Sequence, residues 1–218
     1  MKTFKKDNSK KKLKVSKAGS AAVAIGKLEK NQDTFILTFG QFSLIDALCA
    51  IIDQTGPAHV TLSTWTAAHA HLDRSAELMR GANILSMRMI VDRSFKTRQP
   101  KYYSHMVDLF GAESIRCINT HAKFLVIRND NWDIVVRTSM NLNENPRLEN
   151  IEISDNKDFA DFFDAIADEV FIEVAEGEMK SDNLKLDGIQ ESIFSLIDAP
   201  HLKRDGINEA SYTHTIND

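Results

Sequence analysis

The residues with the clearest chemical potential lie in one stretch, INTHAKFLVIRNDNWDIVVRTSMNLN, at positions 118–143. His121 and Lys123 precede a short apolar run, and Ser139 and Asn141 follow a second one. The polar turn RNDNWD separates the two runs, so they are predicted to form a β-hairpin whose open end gathers the four side chains. An imidazole beside a fixed cation, a hydroxyl and an amide suits a phosphoryl group, because charge develops on its oxygens in the transition state.

One alternative to a phosphate site follows from the same residue types. A hairpin with polar residues at its exposed ends would need no chemistry at all. A metal site is not predicted, because no thiolate or acidic cluster accompanies the four residues. We therefore predict neither a metal nor a cofactor.

The segments HAK and TSMNLNENPRLEN resemble the His-x-Lys and Gly-Ser-x-Asn signature of the phospholipase D superfamily, together with the acid that follows it. The resemblance covers roughly residues 34–172, since the alternating elements before the motif also fit. It implies an α/β fold, a phospholipase D-like sandwich with a mixed β-sheet flanked by helices.

The resemblance also implies roles for five residues. His121 would attack phosphorus and form a phosphohistidine intermediate. Lys123 and Asn141 would bind the non-bridging oxygens, and Ser139 would add a hydroxyl donor. Glu149 matches the carboxylate that orients an active-site histidine and favours its imidazolium form.

Two positions depart from the family pattern. The family has an aspartate five residues after the lysine, where this chain has Arg128; Asp130 and Asp133, in a longer turn, are candidates to replace it. The glycine before the serine is Thr138 here, which narrows the backbone conformations at that position.

Only one copy of the motif occurs in the 218 residues. The family's chemistry uses two histidines, one as nucleophile and one as general acid and base. A two-fold dimer would supply the second copy, because such an interface places the same residue of each subunit near the axis. We therefore expect a homodimer with one composite site at its interface, as the resemblance to small single-motif bacterial nucleases implies.

Strands and helices alternate before the motif and indicate an α/β domain. Apolar strand-like runs include TFILTF, AHVTLSTW, ANILSMRMIVD and SIRCINT, and Ser43 is predicted to cap the helix after the first of them. SFKTRQPK is predicted to be a basic loop, and DFADFFDAIADEVFIEV an amphipathic helix. We expect a basic flexible tail over 1–30, the catalytic domain over 31–175 and a polar appendage over 176–218.

Charge is distributed unevenly along the chain. The first 17 residues hold eight lysines and one acid, a net charge of +7, whereas the remainder carries −11. Such a tail suits sequence-independent contact with nucleic-acid phosphates, although a solubilising tail has the same composition. Further residues predicted to bind a nucleic-acid substrate, DNA above all, are Trp65, Arg93, Lys96, Arg98 and Arg147.

No apolar run approaches the roughly 20 residues that a membrane-spanning helix needs, and the two cysteines, Cys49 and Cys117, are expected to be buried and reduced. We thus expect a cytoplasmic protein without a membrane partner, of bacterial or phage type. The leading prediction is a metal-independent phosphodiesterase that acts as a DNA nuclease. The alternatives are a catalytically silent DNA-binding or assembly module and a phospholipid phosphodiesterase or transferase.

Overall fold

A mixed β-sheet organises the chain in the computed structural model, which describes residues 10–64, 73, 75–77, 81, 83–142, 146–180 and 184–186. Its eight strands within these residues are β1 (Lys10–Val15), β2 (Gln32–Thr38), β3 (Ala58–Thr64), β4 (Ile84–Asp92), β5 (Ile115–Ile118), β6 (Phe124–Arg128), β7 (Asp133–Thr138) and β8 (Glu149–Asp155). The spatial order is β1-β2-β8-β7-β6-β3-β4-β5. The outer pairs β1–β2, β3–β4 and β4–β5 are parallel, and the central ladders from β2 to β3 are antiparallel.

Helices cover both faces of this sheet. The described helices are α1 (Ala21–Ile25), α2 (Leu44–Thr55), α3 (Arg93–Arg98), α4 (Pro100–Phe110) and α5 (Lys157–Glu173), and a 3₁₀ turn lies at Ala112–Ser114. One apolar core joins the sheet to α1, α2 and α4, and a second joins the opposite face to α5. The predicted α/β class with a mixed sheet flanked by helices is confirmed.

The predicted hairpin forms from β6 and β7. Phe124 pairs with Arg137, and the register continues to the pair of Arg128 and Asp133 at the turn. Successive side chains in β6 point to opposite cores, so the strand is apolar on both faces. The open end of the hairpin is therefore the end at which the two motif halves meet.

The predicted cap of α2 is confirmed. Ser43 accepts a hydrogen bond from the Asp46 backbone N–H, and the Asp46 carboxylate accepts one from Ser43 N at 2.8 Å. This reciprocal arrangement satisfies two of the donors that a helix start leaves unpaired. It fixes the beginning of α2, which lies against the chain leaving the hairpin.

The expected flexible tail over 1–30 is corrected by the structure, because its described part belongs to the domain. Lys10–Val15 forms the edge strand β1, parallel to β2. A lysine-rich edge strand is physically reasonable, since exposed lysines hinder further strands from pairing with that edge. Further along, the ammonium of Lys30 lies 3.6 Å from the ring centroid of Trp132 in the hairpin turn. The domain thus begins well before residue 31.

The predicted basic loop SFKTRQPK is also wrong, because these residues form α3 and the start of α4. The Asp92 side chain accepts a hydrogen bond from Ser94 N at 2.9 Å and so caps α3. Phe95 is buried and anchors this short helix to the first core. Pro100 opens α4, a position at which proline costs no hydrogen bond.

The predicted appendage over 176–218 starts as part of the domain. Met179 bridges to Cys117 of β5, and Lys180 N donates to the Cys117 carbonyl at 3.0 Å. Leu184 and Leu186 pack against the second core. The remainder of the appendage lies outside the described residues.

Both cysteines are buried and free, as predicted. Within the described part of the chain, none of the helices has the length and apolar character needed to cross a membrane.

Candidate active site

Hydrogen bonds hold the loop that carries His121 on both sides of the histidine. Thr120 N donates to the Asp92 carboxylate at 3.1 Å, and Ala122 N donates to the Thr120 hydroxyl at 3.1 Å. The buried Ser63 hydroxyl donates to the Ala122 carbonyl at 2.9 Å. These bonds attach the loop to the ends of β3 and β4, so His121 is presented on a fixed backbone.

His121 and Lys123 are in contact at the start of β6. Lys123 Nζ lies 3.3 Å from His121 Nδ1 and donates to the His121 carbonyl at 3.1 Å. The His121 side chain is exposed, whereas Lys123 is half-buried. Burial lowers the pKa of Lys123, and the nearby Glu149 carboxylate partly offsets that shift. An imidazole and a partly desolvated cation therefore lie together at the start of β6.

The second half of the motif lies beside the first. The Ser139 hydroxyl donates to Glu149 Oε2 and accepts a bond from Asn150 N at 3.0 Å. Thr138 N donates to the Lys123 carbonyl at 3.2 Å and so joins the two halves at the open end of the hairpin. One difference from the expected arrangement is that β6 begins at Phe124, so His121 and Lys123 precede the strand rather than forming its first face.

Asn141 follows the hairpin and touches α2. Its carbonyl accepts a hydrogen bond from Leu44 N at 3.3 Å. Its side-chain Oδ1 is buried and has no hydrogen-bond partner within the described residues. A buried amide oxygen without a partner is uncommon in folded proteins. Asn141 lines neither of the clefts formed around Lys123 and His121.

Thr138 performs a structural task that glycine could not. Its hydroxyl donates to the Asn150 carbonyl at 2.6 Å and accepts from Met140 N at 2.9 Å. Thr138 is the last residue of β7, and it is not among the residues with positive φ. The conformational freedom of glycine is thus not required at this position.

Arg128, the other departure, lies at the closed end of the hairpin. It forms ion pairs with three carboxylates, those of Asp133, Asp161 and Asp164, at 2.7–2.9 Å. Burial lowers the pKa of Arg128, but hydrogen bonds with these carboxylates outweigh burial and raise it overall. Arg128 lies four positions along the strand from Phe124, about 13 Å away, so neither Asp133 nor the turn residue Asp130 replaces a carboxylate beside His121.

The predicted substrate-binding residues lie in different places, and only two of them are near His121. Arg93 and Arg98 line a cleft of about 350 Å³ with His121. Lys96 points elsewhere: its ammonium donates to the Gly177 carbonyl at 2.8 Å. Arg147 is exposed two residues before Glu149, and Trp65 lies outside the described residues.

Two residues near the site were missed by the sequence analysis. Asp92 ends the apolar strand β4, and a carboxylate at the end of a parallel strand is a signal that could have found it. Arg137 precedes Ser139 by two residues, and strand alternation puts both on one face. With Lys123 and Ser139, it lines a second cleft of about 430 Å³.

The arrangement suits the binding and transfer of a phosphoryl group. An exposed imidazole can attack phosphorus, and an ammonium with neutral donors can hold the charge that develops on oxygen. The exposed Arg93 and Arg98 add positive charge beside His121, whereas the charge of Arg137 is paired with that of Glu152.

Comparisons with known proteins gave results at the level of structure. No protein-family model and no curated protein matches the sequence. NucT from Helicobacter pylori superposes with a TM-score of 0.49 at 14% identity, over 66% of this chain and 99% of that one. Nuc from Salmonella typhimurium, described as a phospholipase D family member, gives 0.46 at 12% identity, over 66% and 97%. TrmBL2, an archaeal chromatin protein with a novel mode of DNA binding, gives 0.43 at 9% identity, over 65% and 53%.

The sheet, the two covering layers and the hairpin that joins HAK to TSMN correspond to the architecture that the motif predicted. The chain has an α/β fold in which helices flank both faces of a mixed β-sheet.

Proposed function

We propose that this protein is a metal-independent phosphodiesterase, a nuclease that hydrolyses DNA phosphodiester bonds through a phosphohistidine intermediate. The observation that carries the proposal is the contact of His121 with Lys123 just before β6, at the end of the hairpin where Ser139 and Glu149 also meet. The unpaired amide oxygen of Asn141 supports it, because rotation of the amide presents an N–H₂ donor instead.

The chemistry proceeds in two balanced steps. A ring nitrogen of His121 forms a bond to phosphorus while the bond from phosphorus to the leaving oxygen breaks, and that oxygen takes a proton from a second histidine. A water oxygen then bonds to phosphorus, the nitrogen–phosphorus bond breaks, and the second histidine accepts the proton of the water. Lys123 and Asn141 hold the non-bridging oxygens throughout.

The second histidine is His121 of another copy of the chain, in a composite site at a two-fold interface. Two exposed apolar side chains support an interface at this end of the strands. Phe39 is 41% exposed and Leu148 is 63% exposed, and they directly flank the last paired residues of the β2–β8 ladder, Thr38 and Glu149. Exposed apolar groups beside a site are typical of surfaces that become covered.

The test of the chemistry is cleavage of a DNA oligonucleotide in excess EDTA. Wild-type protein should cleave it, and His121→Ala should abolish cleavage. The matched control is His59→Ala, since His59 is an exposed histidine that pairs with Arg128 at the closed end of the hairpin. Loss of wild-type cleavage in EDTA would contradict the mechanism, and DNA binding without cleavage by wild type would favour a binding module.

The test of the composite site is sedimentation with activity measurement. Leu148→Glu should dissociate the dimer and reduce activity together. Ile172→Glu on α5 is the control, because Ile172 is as exposed but lies on a helix covering the sheet face. A fully active monomer would contradict the proposal.

A further inference from the structure

The loop that carries His121 separates two clefts. One holds Lys123, Ser139 and Arg137. The other lies between α3 and residues 119–121, and we call it the α3 cleft; it is lined by Asp92, Arg93, Ser94, Arg98, Asn119, Thr120 and His121. A strand of nucleic acid whose cleaved phosphate sits at His121 would therefore place a neighbouring unit in the α3 cleft.

Two arginines of the α3 cleft are uncommitted. Arg93 and Arg98 are exposed, and neither side chain has a hydrogen bond or ion pair with the described residues. Three other arginines are engaged: Arg88 and Arg128 in ion pairs with α5, and Arg137 in one with Glu152. Uncommitted guanidinium groups in a concave surface are well suited to an anion with several oxygens, such as phosphate.

The remaining charge in the α3 cleft does not oppose an anion strongly. The Asp92 carboxylate is only 6% exposed, and its two oxygens accept bonds from Ser94 N and Thr120 N. Its charge is thus directed at backbone donors, whereas the arginines face solvent. The neutral lining residues, Asn119 and Thr120, add further hydrogen-bonding groups.

The volume limits what the cleft holds. About 350 Å³ is at the low end of the roughly 300–1,000 Å³ found for small-ligand pockets. That space suits a phosphate with its sugar. The occupant is thus one backbone unit of a nucleic-acid strand.

We propose that the α3 cleft binds the phosphate next to the one that is cleaved, so that the substrate class is a DNA strand with at least two consecutive phosphates. This inference rests on the proposed function. It predicts that the protein distinguishes a polynucleotide from a simple phosphodiester by Arg93 and Arg98, and not by its reacting groups.

The test compares two substrates in EDTA, a single-stranded oligothymidylate of ten nucleotides and bis(p-nitrophenyl) phosphate, which has no second phosphate. Arg93→Gln with Arg98→Gln should lower kcat/KM for the oligonucleotide by about 10–100-fold, mostly through KM, because charge-assisted hydrogen bonds are lost. Hydrolysis of bis(p-nitrophenyl) phosphate should change by less than about twofold, since that substrate does not reach the cleft. The slope of affinity against salt should fall by about 1.

The control is Lys101→Gln, which removes one charge from an exposed position on α4 and should alter neither substrate. The proposal would be overturned if the arginine double variant lost the same factor in kcat/KM on both substrates. It would also be overturned if Lys101→Gln lost as much activity on the oligonucleotide as the double variant does. Melting curves identify a variant that has lost its fold.

A binding measurement separates this proposal from the proposed function. Fluorescence anisotropy of the labelled oligonucleotide needs no hydrolysis. Weaker binding by the double variant and unchanged binding by Lys101→Gln would support the α3 cleft even if wild type hydrolysed neither substrate. Unchanged binding by both would overturn it, whatever the hydrolytic activity.

Discussion

Asp92→Asn should damage activity far more than its effect on stability explains. The Asp92 carboxylate accepts Ser94 N at 2.9 Å and Thr120 N at 3.1 Å, and so holds both α3 and the loop of His121. Asparagine retains one acceptor and turns an N–H₂ group toward the other donor. Because hydrogen bonds to charged groups contribute about 1.5–3 kcal/mol each, the variant should lose about 2–4 kcal/mol of unfolding free energy. For a chain of this length, the melting temperature should fall by about 5–15 °C.

The chain provides a matched control in Asp155→Asn. Asp155 is 7% exposed, and its oxygens accept Asn31 N at 3.0 Å and Asp133 N at 3.2 Å, at the closed end of the hairpin. Both variants should melt at similarly reduced temperatures. At a temperature at which both are folded, only Asp92→Asn should lose kcat, by about tenfold or more, because small misplacements of a nucleophile are costly.

The kinetic pattern and the pH dependence add two checks. KM for DNA should not rise in Asp92→Asn, since a negative charge leaves the α3 cleft. Burial raises the pKa of Asp92, but hydrogen bonds from Ser94 and Thr120 and the Arg93 charge lower it overall. The stability from this carboxylate is then present above the unfolded pKa of about 3.9 and is lost as pH falls through the lower folded value. Equal kcat losses in both variants, or full activity in Asp92→Asn, would refute the reasoning.

Three further predictions concern single residues. Arg128→Met should lower the unfolding free energy by about 1–3 kcal/mol, because it leaves three carboxylates together without their cation at a position where the arginine side chain is 27% exposed. Activity should not change, since Arg128 is remote from His121. A loss of activity in the folded variant would contradict this. Thr138→Gly should lower the unfolding free energy by about 1–2 kcal/mol, measured by urea unfolding. The substitution removes two hydrogen bonds and increases the conformational entropy of the unfolded chain. Unchanged stability would count against the structural role of Thr138. Since burial lowers the pKa of Lys123, the alkaline limb of the pH–rate profile should lie below the ordinary lysine pKa of about 10.4. Glu149→Gln should move this limb lower still, because the Glu149 carboxylate raises the pKa of Lys123; a shift to higher pH would be inconsistent.

The central hairpin was predictable because its signals are local. Two apolar runs around a polar turn specify β6 and β7, and the ends of a hairpin must meet wherever it lies in the fold. The Ser43 cap is local in the same way, since donor and acceptor lie three residues apart. These features needed no knowledge of the rest of the chain.

Other features depend on contacts distant in sequence. The lysines of β1 indicated a tail, and only pairing with β2 makes Lys10–Val15 a strand. The six residues of α3 carry one buried side chain, Phe95, too few for a periodic pattern. The α3 cleft arises where this helix meets the His121 loop through Asp92, a contact across 28 positions that no local pattern reveals.

The most direct test of the central claim is to trap the intermediate on His121. Wild-type protein is mixed with a DNA oligonucleotide in EDTA, quenched within the first turnover and digested with trypsin. The peptide of residues 117–123, CINTHAK, contains one histidine, so a nucleotide adduct on it is assigned without ambiguity by mass spectrometry. We expect this adduct to appear in wild type and in His59→Ala and to be absent in His121→Ala. Rapid cleavage in EDTA by His121→Ala, or cleavage by wild type with the adduct on another peptide, would contradict it.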